Sequence, residues 1–217
     1  MEWYDELGRQ LSFLPAGKII ELGSGGGFIK EKFPQVITSD VMRLEDCDMC
    51  FSAEDIPVEN DSAAAYFMLN VFHHIPNPEK FLTEAHRTLK TGGRIIMVEP
   101  ANTMFARFIY KNFHHEPFDE KGGWTINSTG PMSSSNQALP YIYFIRDKNL
   151  FEKKFPSFRI ISVRLHTPFR YLLSGGVSRR ALAPGFSYGL FTLGEKIISP
   201  LSALTAMFQT IVIEKAQ

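Results

Sequence analysis

The length and charge of this chain exclude several classes of protein. Its 217 residues suit one domain with a sizeable core. Lysine and arginine together number 23, as do aspartate and glutamate, so the net charge is zero. That balance argues against a broad nucleic-acid-binding surface. No apolar run reaches the roughly 18 residues that span a bilayer, and no N-terminal segment resembles a signal peptide. We therefore expect a soluble, cytoplasmic protein with a single domain over residues 1–217.

The N-terminal segment has the spacing of an amphipathic helix. Trp3, Leu7, Leu11 and Leu14 recur at helical intervals, and Pro15-Ala16-Gly17 follows as a stop signal. We predict a helix over residues 2–14 that packs on the rest of the fold. Part of this helix could close over a ligand.

Residues 18–27 read Lys-Ile-Ile-Glu-Leu-Gly-Ser-Gly-Gly-Gly. A short apolar strand ends in Glu21 and a glycine-rich turn, and residues 28–33 can form a helix. Glycines let the backbone turn tightly and approach a ligand with no Cβ in the way. A ligand bound there lies at the carboxyl edge of a parallel sheet, beside a helix N-terminus.

A second strand, residues 36–38, leads to Asp40, which lies 17 positions after Gly23. A carboxylate at the end of this neighbouring strand can accept hydrogen bonds from both hydroxyls of a ribose. The alternative is an acid that simply ends a strand. With the glycine turn at this spacing, we favour the ribose.

The next segments predict two strands and a helix. Residues 47–51 predict a short strand, and residues 64–69 form an apolar run typical of a buried central strand. Asn77-Pro78 then opens a helix, with asparagine as the cap and proline at the first position. Lys90 and Gly92 predict its end, and residues 94–100 predict another strand.

The only two cysteines are Cys47 and Cys50. One Cys-x-x-Cys pair supplies half of a zinc tetrahedron. In an extended segment, residues three apart point to opposite faces. We predict ordinary packing rather than metal or redox chemistry for this pair.

Five segments occur in order at proper spacing: Glu-Leu-Gly-Ser-Gly-Gly-Gly at 21–27, Asp40, Ala-Glu-Asp-Ile-Pro at 53–57, Phe-His-His-Ile-Pro-Asn-Pro at 72–78 and Leu-Lys-Thr-Gly-Gly-Arg-Ile-Ile-Met-Val-Glu-Pro at 89–100. In this pattern the chain resembles the class I S-adenosylmethionine-dependent methyltransferases. Within them it is similar to the methyltransferase type 11 group, which includes the ubiquinone and menaquinone methyltransferases.

The resemblance implies an α/β fold, a Rossmann-like seven-stranded sheet with helices on both faces and an antiparallel last strand at residues 210–214. It implies S-adenosyl-L-methionine as the cofactor. The glycine turn would wrap the methionine part of the cofactor, and Asp40 would bind its ribose. The turn after the third strand would border the adenine, and the end of the fourth strand would lie beside the methyl group. The cofactor-binding residues expected are Glu21, Gly23, Ser24, Gly25, Gly27, Asp40, Val41, Ser52, Ala53, Glu54, Leu69 and Asn70.

The chain departs from the family at Ser52, where an aspartate is frequent, and at Ala64, where an acid is frequent. A dinucleotide-binding dehydrogenase is the nearest rival. It would want Gly-x-Gly-x-x-Gly, but the third position here is Phe28.

Residues 101–145 interrupt the predicted core and are too long for an ordinary loop. Their aromatic residues argue against disorder, and we predict a lid over the acceptor substrate. Within it, His114, His115, Glu116 and Asp119 could ligate a metal. We favour a solvated loop or a pocket lining and predict no metal site.

Residues 166–205 lie between two further predicted strands, 158–165 and 210–214, after a predicted helix at 147–155. They are rich in apolar and aromatic residues. We expect a helical cap on the core. The alternatives are a wall for a large acceptor, a surface for a homodimer, or a membrane-surface contact. Arg170, Arg179 and Arg180 could hold a phosphate or carboxylate of the acceptor.

For function, we expect methyl transfer to a small-molecule acceptor, with a hydroxyl of a sugar, quinone or lipid-linked precursor favoured. His73 and His74 follow the fourth strand and are the candidate catalytic bases, with His114 and His115 as second candidates. No Asn-Pro-Pro-Tyr follows this strand, which disfavours methylation of DNA bases. The alternative is a non-catalytic cofactor-binding relative that serves as a partner subunit.

Overall fold

The computed structural model describes residues 2–127, 130, 133–173 and 184–216. The predicted roles of Arg179 and Arg180 therefore lie outside the described residues.

The described strands form one seven-stranded sheet in the order β3-β2-β1-β4-β5-β7-β6. Strands β1 to β5 are parallel, and β7 runs antiparallel to both β5 and β6. This arrangement confirms the predicted α/β methyltransferase sheet. The strands are β1 Lys18–Leu22, β2 Ile37–Asp40, β3 Met49–Cys50, β4 Ala63–Leu69, β5 Leu89–Pro100, β6 Phe158–His166 and β7 Phe208–Lys215.

The helices vary widely in length. The α-helices are α1 Asp5–Gln10, α2 Pro78–Thr88, α3 Met104–Phe113, α4 Leu139–Tyr141, α5 Lys148–Lys154, α6 Arg170–Leu173, α7 Tyr188–Ile198 and α8 Ser202–Thr205. Short 3₁₀ segments occur at Glu2–Tyr4, Leu11–Phe13, Phe28–Glu31, Phe72–His74, Gly185–Ser187 and Ser199–Leu201, and a π-helix at Ile142–Arg146.

The start of α2 is as predicted, but its predicted end is wrong. Asn77 Oδ1 accepts a hydrogen bond from the Lys80 amide at 3.1 Å, and Pro78 takes the first helical position. The helix ends at Thr88, because Leu89 already pairs with Ala63 as the start of β5. Gly92, with φ +76°, lies inside this long strand rather than at a helix terminus.

Other predicted elements differ mainly in extent. The N-terminal helix is α1 flanked by two 3₁₀ segments, and only a 3₁₀ turn follows the glycine turn. Residues 41–48 connect β2 directly to β3 without a helix.

The sheet is covered on both faces by apolar residues. Strand β4 is buried from Ala63 to Met68, as expected for a central parallel strand. One face packs against α1 and the 3₁₀ turn after the glycines, through Leu7 and Ile29. The other packs against α2, α5 and the π-helix, through residues such as Phe81 and Phe144.

Part of the predicted lid belongs to this second core. Ala138, Leu139, Ile142, Tyr143 and Phe144 are all at most 1 % exposed. Residues 138–144 therefore fill the sheet face, while Trp124 from the preceding loop packs on Tyr143 with ring centroids 4.1 Å apart.

The described part of residues 166–205 is helical. Glu195 of α7 accepts hydrogen bonds from the amides of Phe169 and Arg170 at 3.0 and 2.8 Å and from the Arg170 guanidinium. These bonds join α6 to α7. Among the described residues, no helix is both long and apolar enough to cross a membrane.

Candidate functional site

The glycine turn follows β1 and adopts a left-handed backbone at Gly23, Gly25 and Gly27, with φ of 66°, 53° and 66°. A Cβ at Gly23 would lie 2.5 Å from Val71 Cγ2, so a side chain at this position does not fit. A Cβ at Gly25 would meet nothing within 4 Å. The turn is thus packed on one side and open on the other, which is the form of a cradle for a ligand.

Asp40 lies against this turn, as the sequence predicted. Its Oδ2 accepts a hydrogen bond from the Gly25 amide at 3.2 Å, and its Oδ1 accepts one from the Met42 amide at 2.9 Å. An ionised carboxylate can accept about four hydrogen bonds. Asp40 therefore keeps capacity for two hydroxyl groups.

Two buried polar groups near the ends of β1 and β4 lack hydrogen-bond partners among the described residues. They are Glu21 Oε2 and Asn70 Oδ1. Asn70 has an unusual φ of 56° and donates its amide hydrogen to Val98 O at 2.9 Å. Orphaned buried polar atoms are uncommon and mark places where a ligand or water completes the bonding.

Glu21 is 2 % exposed. Burial raises its pKa to about 7, against the opposing effect of the Ser24 and Tyr4 side chains. Glu21 therefore changes charge near neutral pH.

The residues expected at the adenine form a turn after β3. The Phe51 amide donates to Asp40 O at 3.0 Å, which places this turn beside Asp40. Ser52 Oγ accepts the Glu54 amide at 3.2 Å, and Glu54 Oε1 accepts the Asn77 amide at 2.9 Å. Glu54 thus ties the turn to the start of α2.

Two more residues of the predicted site, Val41 and Leu69, are placed as follows, together with the two cysteines. Val41 is 39 % exposed directly after Asp40. Leu69 lines a cavity of about 280 Å³ together with Trp3, Tyr4, Phe28 and Glu31. The two cysteines are unpaired: Cys47 Sγ lies 3.7 Å from Gly25 O, and Cys50 Sγ lies 3.7 Å from Val41 O.

A larger cavity of about 810 Å³ opens at the same edge of the sheet. Trp3 lines both cavities. The larger one lies between the N-terminal segment, the end of β6, and α7, which contributes Phe191 and Ile198.

The two histidines after β4 form a 3₁₀ turn that is held by Glu99 of β5. Glu99 Oε2 lies 2.6 Å from His73 Nδ1, and Oε1 accepts the amides of Val71 and Phe72 at 2.8 and 2.7 Å. Glu99 is fully buried and His73 is 2 % exposed. Sequence reasoning missed Glu99, although it ends the strand next to β4.

Glu116 completes a cluster with these histidines. Its carboxylate lies 3.5 Å from His73 Nε2 and 3.2 Å from His74 Nε2. Burial would lower the pKa of His73, but the Glu99 and Glu116 carboxylates outweigh burial and raise it to about 9. Burial in turn would raise the pKa of Glu116, but the two histidines hold it well below its usual range.

The four polar residues that the sequence places together in the lid have different partners in the structure. His114 Nδ1 lies 2.6 Å from Gln137 Nε2 and accepts the Glu116 amide at 3.2 Å. His115 is exposed, and the Asp119 amide is held by Asn136 Oδ1 at 3.0 Å. Glu116 meets His73 and His74, a grouping that the sequence did not indicate.

Comparison with known proteins places this geometry in a family. Residues 20–97 match a family model described as a methyltransferase domain. No curated protein sequence matches the chain. An S-adenosylmethionine-dependent methyltransferase from Mesorhizobium loti has a similar structure at 13% identity and a TM-score of 0.53, with 99% of this chain and 98% of that chain covered.

Two further solved structures are similar. A candidate S-adenosylmethionine-dependent methyltransferase from Listeria monocytogenes shares 15% identity, with a TM-score of 0.55 and 99% and 98% of the two chains covered. The YcgJ protein from Bacillus subtilis shares 13% identity, with a TM-score of 0.53 and 100% and 99% covered. At these identities the structures establish the fold alone.

The sheet order and the antiparallel β7 define a class I α/β methyltransferase fold. With the family match over residues 20–97, the chain contains a class I S-adenosylmethionine-dependent methyltransferase domain. It is an enzyme, and S-adenosylmethionine is its methyl donor. The open glycine cradle and the orphaned oxygens of Glu21 and Asn70 fit such a ligand.

Replacing Gly23 by alanine should destabilise the fold and weaken S-adenosylmethionine binding. The left-handed backbone costs alanine about 1–2 kcal/mol, and the overlap with Val71 adds about 1–3 kcal/mol. Urea denaturation measures the first effect and calorimetric titration the second. Gly123→Ala is the control, because its new Cβ meets nothing within 4 Å and the position lies outside the glycine turn. Equal losses in the two variants would contradict this account of the turn.

Glu21 should make stability fall as the pH rises. Its folded-state pKa of about 7 exceeds the ordinary 4.5, so the folded chain binds the proton more tightly than the unfolded chain. Stability from this group is complete below pH 4.5 and is lost as the pH rises through 7. Glu21→Gln removes this loss, so the variant should gain up to about 3 kcal/mol over wild type across the window.

Chemical denaturation of both proteins below pH 4.5, near pH 6 and above pH 7 tests this prediction. Glu31→Gln, at an exposed position, is the control and should track the wild type. Parallel stability curves for wild type and Glu21→Gln would show that Glu21 titrates normally.

Proposed function

We propose that this methyltransferase transfers the methyl group to a hydroxyl oxygen of a small molecule, of the sugar, quinone or lipid-linked class. The observation that carries the proposal is the cluster of His73, His74 and Glu116. The two histidines lie four and five residues after the end of β4. An alcohol needs help to lose its proton, and imidazole and carboxylate groups can give it.

The donor site is proposed to follow the family arrangement. Gly23 to Gly27 wrap the methionine part, and Asp40 binds the ribose hydroxyls. The turn at residues 52–54 borders the adenine, and Leu69 and Asn70 lie beside the methyl group. Support comes from the hydrogen bond between Gly25 and Asp40 and from the orphaned oxygen of Asn70.

The reaction is a single displacement. The acceptor O–H bond breaks, a bond forms between that oxygen and the methyl carbon, and the S–CH₃ bond breaks to leave S-adenosylhomocysteine and a proton. The sulfonium supplies the electrophile, so the chain has to align the oxygen, exclude water and help remove the proton.

The two histidines are proposed to contribute differently. His73 is 2 % exposed and has a carboxylate at each ring nitrogen, so it positions the cluster. The His74 side chain is 15 % exposed, and its Nδ1 has no hydrogen-bond partner among the described residues. His74 is therefore the histidine that faces the hydroxyl.

The body of the acceptor is proposed to occupy the larger cavity. Tyr171 lines this cavity. Burial, followed by the charge of Glu116, raises the pKa of Tyr171. Phe191 and Ile198 of α7 give the wall an apolar character that suits a quinone or a lipid chain. In this arrangement the described part of residues 166–205 forms one wall around the acceptor.

Asp40→Asn should weaken S-adenosylmethionine binding at least tenfold. The change removes a charged acceptor of hydrogen bonds, each worth about 1.5–3 kcal/mol, at the proposed ribose. Calorimetric titration with S-adenosylmethionine and S-adenosylhomocysteine measures the loss. Asp46→Asn makes the same charge change on the adjacent loop, where the side chain has no hydrogen-bond partner among the described residues, and should bind as wild type. Wild-type affinity in Asp40→Asn would refute the assignment of Asp40 to the ribose.

His74→Gln should lower turnover by about 10²–10⁴-fold, as expected for loss of proton-transfer assistance, and leave donor affinity unchanged. The assay follows S-adenosylhomocysteine release with a panel of hexoses, hydroquinones and prenyl-linked sugars. His86→Gln, near the end of α2 where the imidazole packs against Phe158, is the control. Retained turnover in His74→Gln would remove this residue from the chemistry.

A further inference from the structure

Three potential metal ligands converge from two distant segments of the chain. One atom from each of His73, His74 and Glu116 lies within 4.8 Å of the others. The Glu116 oxygens lie 3.5 Å from His73 Nε2 and 3.2 Å from His74 Nε2. Ligands at about 2.1 Å from a tetrahedral or octahedral cation are separated by about 3.0–3.4 Å. The observed separations therefore leave room for a cation between the three groups.

The hydrogen bonding of His73 favours an ion between it and Glu116. His73 Nδ1 lies 2.6 Å from the Glu99 carboxylate, which fixes the N–H on that nitrogen. When His73 is neutral, its other nitrogen, Nε2, presents a lone pair to the Glu116 carboxylate. Two such acceptors repel each other unless a proton or a metal cation lies between them.

The surroundings of the three ligands are those of a supported metal site. Metal-binding histidines usually donate their second N–H to a carboxylate, as His73 does to Glu99. Gln137, which is 1 % exposed, places Nε2 3.2 Å from Glu116 Oε2 and orients that carboxylate. His114 uses Nδ1 to accept the Glu116 amide, so that nitrogen is occupied.

The local charge also calls for a cation. Glu99 is fully buried and the Glu116 side chain is 19 % exposed. Their ion-pair partners among the described residues are histidines. A proton on His73 offsets part of the charge of the two carboxylates, and one divalent cation bound in its place would balance both.

We propose that His73 Nε2, His74 Nε2 and the Glu116 carboxylate bind a divalent first-row transition metal of the Zn²⁺ class. Two imidazoles and one carboxylate suit such metals, whereas Mg²⁺ and Ca²⁺ prefer oxygen ligands. Three protein ligands leave a coordination position open. If the proposed function is right, the hydroxyl of the acceptor takes that position, and the metal lowers its pKa so that the proton leaves to solvent. His74 then acts as a ligand.

The test is metal binding by the full chain, purified with a tag that lacks histidine and freed of metal with EDTA. Titration with Co²⁺, followed by its visible absorption, should show one site per chain, and Zn²⁺ should displace the Co²⁺. Millimolar Mg²⁺ should not compete. Glu116→Gln and His74→Ala should each weaken Co²⁺ binding by at least 100-fold.

His115→Ala is the matched control. This histidine neighbours Glu116, and its Nε2 lies 3.9 Å from the same carboxylate, but its side chain is 68 % exposed. Its removal should leave Co²⁺ affinity unchanged. Circular dichroism of each variant, with S-adenosylmethionine titration in EDTA, establishes that the fold and the donor pocket are intact.

No saturable Co²⁺ binding, or wild-type affinity in Glu116→Gln and His74→Ala, would overturn the proposal and leave a proton between His73 and Glu116. Loss of Co²⁺ binding in His115→Ala as large as in His74→Ala would overturn the ligand set. Because the donor titration is done without metal, failure of the metal site and failure of the methyltransferase pocket give different results.

Discussion

The buried carboxylate of Glu99 is the interaction on which the site depends. It joins β5 to the turn after β4 by accepting hydrogen bonds from two backbone amides and by contacting the His73 imidazole. All three distances from the carboxylate oxygens to nitrogen are at most 2.8 Å. A buried amide left without an acceptor costs about 1–3 kcal/mol, so the turn has little freedom to move away. Val71, held in this way, packs against Gly23, and His73 is aimed at Glu116. One side chain therefore sets the position of the glycine turn and of the histidine cluster together.

Local signals predicted much of the sheet, and non-local pairing explains the errors. The run at residues 63–69 is apolar because both faces of β4 are covered, and Asn77 caps α2 through its own side chain. Both features can be predicted from a few consecutive residues. Gly92 resembled a helix terminus, yet the chain there already pairs with β4 from Leu89 onward. That pairing depends on residues far away in sequence, which a local pattern does not contain.

The same distinction between local and non-local signals applies to the candidate site. Asp40 and the glycine turn were predicted to border one ligand because adjacent parallel strands end at one edge, and the structure adds the hydrogen bond between Asp40 and the Gly25 amide. The approach of Glu116 to His73 and His74 could not be predicted, because it depends on how residues 101–145 fold back. That path is held by the amide of Asn136, which donates to His73 O at 3.0 Å. Gln137 lay in a run that read as a polar loop, and only its burial reveals its contact with Glu116.

The order of strands bears on how the chain folds. Strand β7 lies between β5 and β6 and pairs with both along nearly its whole length. Until β7 forms, β6 has no neighbour in the sheet, and the edge of β5 is unpaired. Such long-range pairings form late and slowly, since loop closure has to precede them. Before β7 forms, the long edge of β5 is open, and open edges favour aggregation; insertion of β7 is the step that pairs this edge.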